Sequence, residues 1–354
     1  MDERLPETPV QGIEDVQGVE GTEGAPESWR PDVLGEGFEQ LTLELPRSGP
    51  ATLVRHLPAG RTTHPVADVL YVHGWSDYFF QSGLASYWTA AGMRFHALDL
   101  HNYGRSLRPG QTPGFVNDLR DYDDDIAAAL AAMGHPPGEA PGEASAEAGN
   151  RRRPLILMGH STGGLTLSLW VRNHPGEASA LVLNSPWLEF QATELGRRII
   201  APLIGLEAQR RPAAPLPPVD SGNYARAVSA AFGGEWSYNT DWRPLRGFPA
   251  TLAFLNAVFR AQAEVAAGLD LEIPVLVLLS DKSYLLPRWS PDAGRADVAL
   301  DVNVVAHRAL SLGGCVTVAR IADAMHDVFL SARPVREKAY AAVARWGAGY
   351  LPAG

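Results

Sequence analysis

Apolar and polar positions along this chain switch between a period of two and a period near 3.6, which predicts strands separated by helices. Residues 38–45 and 51–57 alternate as half-buried strands do and predict a hairpin pair. Residues 67–73 form a short apolar run (Val69-Leu70-Tyr71-Val72) ending in His73-Gly74, the pattern of a strand buried on both faces. A helical stretch near 80–91 and a second apolar strand at 93–99 follow. Over 115–133, Phe115, Leu119, Ile126 and Leu130 share one helical face while acids occupy the polar positions, so one continuous helix is predicted. The rhythm continues with a strand at 154–160, a helix over 162–174 and a strand at 179–185. It breaks over 190–248, a stretch holding several aromatics and the run Arg210-Arg211-Pro212-Ala213-Ala214-Pro215. It resumes with a helix over 249–267, a strand at 273–280, a helix over 302–312, a strand at 315–321 and a helix over 335–346. The expected class is α/β, a mostly parallel sheet with helices on both faces. No internal repeat is present.

Composition adds boundaries to this picture. With 354 residues and 45% hydrophobic content, the chain can bury one sizeable core. The expected organisation is one core domain from 31–189 and 249–354, with an insertion at 190–248. Residues 1–30 are rich in Glu, Gly and Pro and predict a disordered leader. They carry eight acids against two bases, which is −6 of the net −10. The remaining body is close to balanced and presents no basic footprint for nucleic acid or an anionic membrane. Residues 135–153 are low in complexity and predict a mobile surface loop. Cys315 is the single cysteine, so no internal disulfide forms, which suits a reducing compartment. Residues 1–30 have no signal-peptide pattern, and no apolar run reaches the ~18 residues of a membrane span. A cytoplasmic protein with no transmembrane segment is the expectation. Oligomeric state is not written in these patterns.

The chemistry concentrates at Gly159-His160-Ser161-Thr162-Gly163-Gly164, between an apolar strand and an apolar helix. A serine at such a turn is forced outward above the sheet edge, and glycines on both sides relieve clashes that any Cβ would create. The helix N-terminus offers the Thr162 N–H to developing negative charge. Acyl transfer needs a second donor, and the Trp75 N–H, just after His73-Gly74 at the end of an earlier strand, is the natural partner. Among ten histidines, His326 follows the last predicted strand in the loop Ala322–Asp327 and is the candidate base. His73 and His160 belong to the turns just named, and His101 precedes the serine. His96 reads as a half-buried strand residue, and His56, His64, His135, His174 and His307 read as surface positions. The acid that orients His326 is to be sought after the strand at 273–280, among Asp281, Asp292, Asp297 and Asp301. No metal-like His/Cys grouping and no phosphate loop is present, so neither metal nor organic cofactor is expected.

The motifs Val72-His73-Gly74-Trp75, Asp99-Leu100-His101-Asn102-Tyr103-Gly104-Arg105-Ser106 and Gly159–Gly164 occur in this order. Together they resemble the monoacylglycerol lipase and lysophospholipase-like branch of the α/β-hydrolases, often grouped under the serine aminopeptidase heading. The resemblance spans roughly 38–346. It implies an eight-stranded sheet, a helical cap after the sixth strand at 190–248, and oxyanion donors at Trp75 and Thr162. That family usually places His-Gly two residues before its acid. Here the strand ends Leu278-Leu279-Ser280-Asp281 without it, and a segment with Pro287, Trp289 and Pro291 follows. Read as an insertion, that segment leaves Asp297-Val298 in the acid's position and Asp281 as the alternative. Asp301 is the expected cap of the next helix.

The function so implied is a serine hydrolase cleaving carboxylic esters, either mono-acyl lipids or small esters, through an acyl-enzyme on Ser161, with Ser161, Asp297 and His326 as the triad. Amide, peptide or thioester cleavage is the second reading, since a triad does not select the leaving group. A non-catalytic binding protein on the same fold is the third.

Overall fold

Within the computed structural model, residues 28–58, 64–136, 153–190, 194–217 and 221–352 are described. The longest apolar runs form the middle of one nine-stranded sheet. Its strands are β1 (Arg30–Pro31), β2 (Phe38–Leu43), β3 (Ala51–His56), β4 (Asp68–Val72), β5 (Arg94–Asp99), β6 (Leu155–His160), β7 (Ala180–Asn184), β8 (Val275–Ser280) and β9 (Val316–Ile321). The order is β1-β2-β3-β5-β4-β6-β7-β8-β9, antiparallel through β1, β2, β3 and β5 and parallel from β5 to β9. Eight of these are the strands expected from the resemblance, and the two-residue β1 adds the ninth at the edge.

Strand alternation divides the core into two layers. From β4, Leu70 and Val72 enter the layer packed by α2 (Asp123–Met133), α3 (Thr162–Asn173), α6 (Leu252–Ala267) and α7 (Val302–Ala309). Val69 and Tyr71 enter the opposite layer, packed by α1 (Ser82–Ala90) and α8 (Arg333–Tyr350). Each strand in the centre is therefore apolar on both faces, which is why these segments read as continuous runs. After β4 the chain adds β5 on one side and β6 on the other. That reversal leaves a crevice beyond the C-terminal strand ends, where ligands of open α/β sheets bind.

The insertion forms α4 (Glu194–Arg210), α5 (Asn223–Val228) and a short 3-10 turn at Ala230–Phe232. It is held over the strand ends by long-range bonds. Tyr78 Oη accepts the Asn239 N–H at 2.7 Å, Ser76 Oγ accepts the Phe248 N–H at 2.9 Å, and Trp236 Nε1 donates to the Leu330 carbonyl at 2.9 Å.

Three expectations change. The helix expected over 115–133 is a 3-10 turn at Leu119–Tyr122 followed by α2. Asp118 accepts the Arg120 N–H while Asp121 accepts the Asn117 and Asp118 N–H groups, so acid side chains capture the backbone and delay the helix. The leader's last residues join the fold: Trp29 packs on the core beneath the Arg55 guanidinium at 4.0 Å, and Arg30 pairs with Gln40. The rest of the expected disordered leader, residues 1–27, lies outside the described residues. His135 is buried rather than a surface residue. Asp68, buried at the start of β4, collects His135 at 2.6 Å, Arg94 at 2.7 Å and Arg153 at 3.2 Å, so both ends of the low-complexity segment grip one carboxylate. Residues 137–152 of that expected mobile loop lie outside the described residues. Among the described residues, no helix is long and apolar enough to cross a membrane, and no group of three metal-ligating side chains is present.

Candidate active site

Ser161 sits between β6 and α3 with φ of 51° and ψ of −115°, a conformation that L-residues rarely adopt. Surrounding backbone bonds hold it there. Its N–H donates to the Asn184 carbonyl at 3.0 Å, and its carbonyl accepts N–H groups from Leu165 at 3.2 Å and Trp187 at 3.0 Å. The flanking glycines are required by contact. A Cβ on Gly159 would stand 2.6 Å from Gly164 Cα, one on Gly163 would strike the His73 carbonyl, and one on Gly74 would stand 2.9 Å from Ser161 Cβ. The serine turn therefore admits side chains at none of these positions.

His326 follows β9, and its Nδ1 lies 2.9 Å from Asp297 Oδ2. Both side chains are buried. The other Asp297 oxygen accepts the N–H groups of Ala299 and Leu300, each at 2.8 Å, which leaves Oδ2 directed to the ring. Burial alone would depress the His326 imidazole, but the Asp297 carboxylate, with Asp327 and Asp77 behind it, outweighs burial and holds the pKa above the ordinary value. The segment between Asp281 and Asp297 is a closed excursion. Its ends pair through Asp297 N–H to Lys282 O at 3.0 Å and Tyr284 N–H to Asp297 O at 2.7 Å. Asp297 thus returns to the end of β8. Asp281 is exposed and accepts the Asp323 N–H at 3.0 Å instead, while Asp301 caps α7 through the Asn303 and Val304 N–H groups.

The two candidate oxyanion amides come from different elements. Thr162 opens α3, so its N–H has no acceptor within that helix. Trp75 follows His73-Gly74, and the His73 ring controls that peptide. Leu100 N–H donates to His73 Nε2 at 3.1 Å, leaving Nδ1–H to donate to the Gly74 carbonyl at 2.8 Å. A trans peptide points its N–H opposite its carbonyl, so this bond sets the direction of the Trp75 amide. The Trp75 indole stacks on Phe254 at 3.9 Å between ring centres and meets Tyr103 edge-on. Trp187 lies 6.5 Å from the same Phe254 ring. Tyr78, Phe79, Phe80 and Leu188 are buried core residues.

Sequence reading missed the polar groups around His326. Asp327 accepts from Asn184 Nδ2 at 2.6 Å, Gln81 Nε2 at 3.0 Å and the Phe329 N–H at 2.9 Å, tying the histidine loop to β7 and α1. Asp77 lies near Arg243 of the insertion, with Nε 2.9 Å from Oδ1, off the hydrogen-bonding direction and so an ion pair. Asp77 also faces His160 Nδ1 at 3.7 Å, too long for a hydrogen bond. Burial would raise the Asp77 pKa, but Arg243 together with His160 and His73 outweighs it and holds the carboxyl below its usual range. The His160 ring centre is 4.9 Å from that of His326, and Tyr224 stands edge-on to His326 at 5.5 Å. Asp77 lies three residues past the His73-Gly74 turn, which was its only local signal. Arg243 had none. A separate cavity of about 340 Å³ between Arg47, His101, Asn102, Phe115 and Asn117 shares no lining residue with the candidate triad.

A model of the family described as serine aminopeptidase, S33, matches residues 63–288. A monoacylglycerol lipase of Mycolicibacterium smegmatis is 26% identical over 230 residues, covering 64% of this chain and 73% of that protein. The phospholipase YtpA of Bacillus subtilis is 25% identical over 158 residues, which is 42% of this chain and 54%, about half, of that relative. Among solved structures, a monoacylglycerol lipase from Paleococcus ferrophilus superposes with a TM-score of 0.58 at 18% identity, covering 81% of this chain and 96% of that one. A soluble variant of the monoglyceride lipase of Saccharomyces cerevisiae gives 0.57 at 14% identity, covering 94% and 97%. At these identities the structures report the fold.

Proposed function

Because the chain belongs to the serine aminopeptidase (S33) family, in the monoacylglycerol lipase-like branch of the α/β-hydrolases, we propose that it cleaves carboxylic esters through an acyl-enzyme on Ser161. Neutral His326 removes the Ser161 proton as Oγ attacks the ester carbonyl, and Asp297 stabilises the resulting imidazolium. The Trp75 and Thr162 amides receive the oxyanion. His326 then gives its proton to the departing alkoxide, and water releases the acid by the same steps in reverse order. The substrate class is a mono-acyl lipid or small ester.

The observation that carries this reading is the buried His326–Asp297 bond of 2.9 Å, with the His326 ring 4.9 Å from that of His160, the neighbour in sequence of a serine held at positive φ. Ester cleavage is favoured over aminopeptidase action by charge. An amino-terminal ammonium needs a free carboxylate, and the acids nearest the site are engaged: Asp77 with Arg243, Glu189 with Arg308, and Asp327 with Gln81 and Asn184. The test is hydrolysis of p-nitrophenyl esters from acetate to palmitate, beside labelling by a serine-directed fluorophosphonate. The wild type turns over and labels, and Ser161→Ala does neither. A Ser161→Ala protein as active as wild type would overturn the mechanism.

A further inference from the structure

Between His326 and the insertion lies a set of buried polar side chains that the acyl-transfer steps leave unused. Arg243 is 3% exposed, and its guanidinium carbon stands 4.6 Å from the Tyr238 ring centre, 4.7 Å from Tyr224 and 5.6 Å from Phe80. A guanidinium carries five N–H donors. One of those of Arg243, on Nε, faces Asp77 Oδ1 at 2.9 Å as an ion pair. The Tyr224 and Tyr238 hydroxyls are buried without a partner, and so are both ring nitrogens of His160, itself 2% exposed. Burial pushes the Tyr224 phenol well above its ordinary value, so it remains a donor. The carboxylates within reach are already engaged: Asp297 by His326, Ala299 and Leu300, and Asp327 by Asn184, Gln81 and Phe329. The Tyr224 and Tyr238 hydroxyls and both Asp77 oxygens are thus buried without a hydrogen bond, and leaving buried polar groups unpaired costs stability.

Its place indicates which part of a substrate it meets. Tyr224 and His160 flank the His326 ring, the group that returns a proton to the leaving alcohol. Trp75, Phe254 and Trp187 form a separate apolar group suited to a hydrocarbon chain. We infer that Arg243, Tyr224 and Tyr238 form a leaving-group subsite for an anion, so that the preferred esters carry a carboxylate or phosphate on their alcohol side. Such a group offers several acceptor sites to the Tyr224 and Tyr238 hydroxyls, which have no partner, and to the Arg243 guanidinium through charge-assisted bonds. With Arg243 balanced by Asp77, the imidazolium formed on His326 is an additional nearby cation in the transition state. The anion is then held more tightly there than in the ground state, which raises kcat as well as lowering KM. This inference rests on the proposed ester hydrolysis.

The experiment compares kcat/KM for three butyrate esters: of glycolate (carboxylate), of glycerol 3-phosphate (phosphate) and of glycerol (neutral polyol). p-Nitrophenyl butyrate is assayed alongside. Wild type is expected to favour one anionic ester over the glycerol ester by about tenfold or more, and the better anion names the source. Arg243→Gln is expected to reduce that ratio toward unity, with Arg243→Lys retaining part of it. Tyr238→Phe, which removes one hydroxyl and spares the ion pair, is expected to lower the ratio about threefold, and it decides the question should Arg243→Gln fail to fold. A wild type that prefers the neutral glycerol ester would overturn the subsite. So would variants in which all three esters decline together, which is the result of a purely structural ion pair. A wild type with no Ser161-dependent cleavage of p-nitrophenyl butyrate would overturn the ester reading itself, a separate failure from loss of the anion preference.

Discussion

His326 Nδ1 lies 2.9 Å from Asp297 Oδ2, and His101 Nδ1 lies 2.8 Å from Asp125 Oδ2, with all four side chains nearly fully buried. The two pairs match in distance and burial and differ in surroundings. Asp125 also accepts the N–H of His101 itself at 2.7 Å, so that pair closes on one residue and anchors the loop after β5 to α2. Burial dominates there and raises the Asp125 carboxyl, with His101 offsetting only part of the effect. Asp297 is held instead by backbone N–H groups of its own loop, and the ring it holds borders His160, Tyr224 and the serine turn. A buried His–Asp pair thus identifies nothing by itself. What the imidazole can reach beyond its acid decides between a structural tie and a general base.

The comparison can be broken most severely at the nucleophile. Ser161→Ala is expected to lower kcat for p-nitrophenyl butyrate by about 10⁴-fold or more; an active variant would remove the reason for treating the two pairs differently. Asp297→Asn comes next, with an expected loss of about 10³- to 10⁴-fold in kcat at an unchanged fold by circular dichroism.

The same substitution also sharpens the electrostatics. The raised His326 pKa places the acid limb of the wild-type kcat/KM profile above pH ~6.5. Removing the carboxylate is expected to move that limb of the residual activity downward. In stability the sign follows from the same shift: the His326–Asp297 contribution is fully present below the unfolded pKa and is lost as pH rises through the raised folded value. A limb that does not move would dissociate Asp297 from the base.

Asp125→Ala is the control on the other pair. It leaves the His101 N–H without its acceptor and is expected to cost about 1–3 kcal/mol in urea unfolding while kcat/KM stays within about threefold. A collapse of activity at full stability would make His101 part of the site. The smallest effect is expected at Asp281, an exposed residue that accepts the Asp323 N–H. Asp281→Asn is expected to alter kcat less than about twofold, and a loss matching that of Asp297→Asn would return the acid's role to the end of β8.

Legibility in the sequence followed how local each constraint is. The serine turn was readable because the clashes that exclude side chains at Gly159 and Gly163 arise within a few residues or against the adjoining strand end. The end of the predicted 115–133 helix was right and its start was not, since Asp118 and Asp121 compete for the same backbone groups that a helix would use. Asp297 was reached by a family pattern and by spacing to His326. The backbone pairing of Lys282 and Tyr284 with Asp297, which makes the excursion harmless, was not visible. Asp68 shows the same limit: His135 reads as a surface residue because its partner is 67 positions away.

By itself, the sequence determined the alternation of strands and helices, the serine turn, and the chain order of candidate nucleophile, acid and base. Those features depend on backbone sterics and side-chain periodicity, which act over a few residues. Only the tertiary structure decided which carboxylate faces which ring. It also decided that Tyr224 of the insertion stands edge-on to His326, that Trp29 packs against the core and that His135 is buried. These are pairings between groups brought together by packing. A buried charge or donor is defined by what encloses it, and no local pattern carries that information.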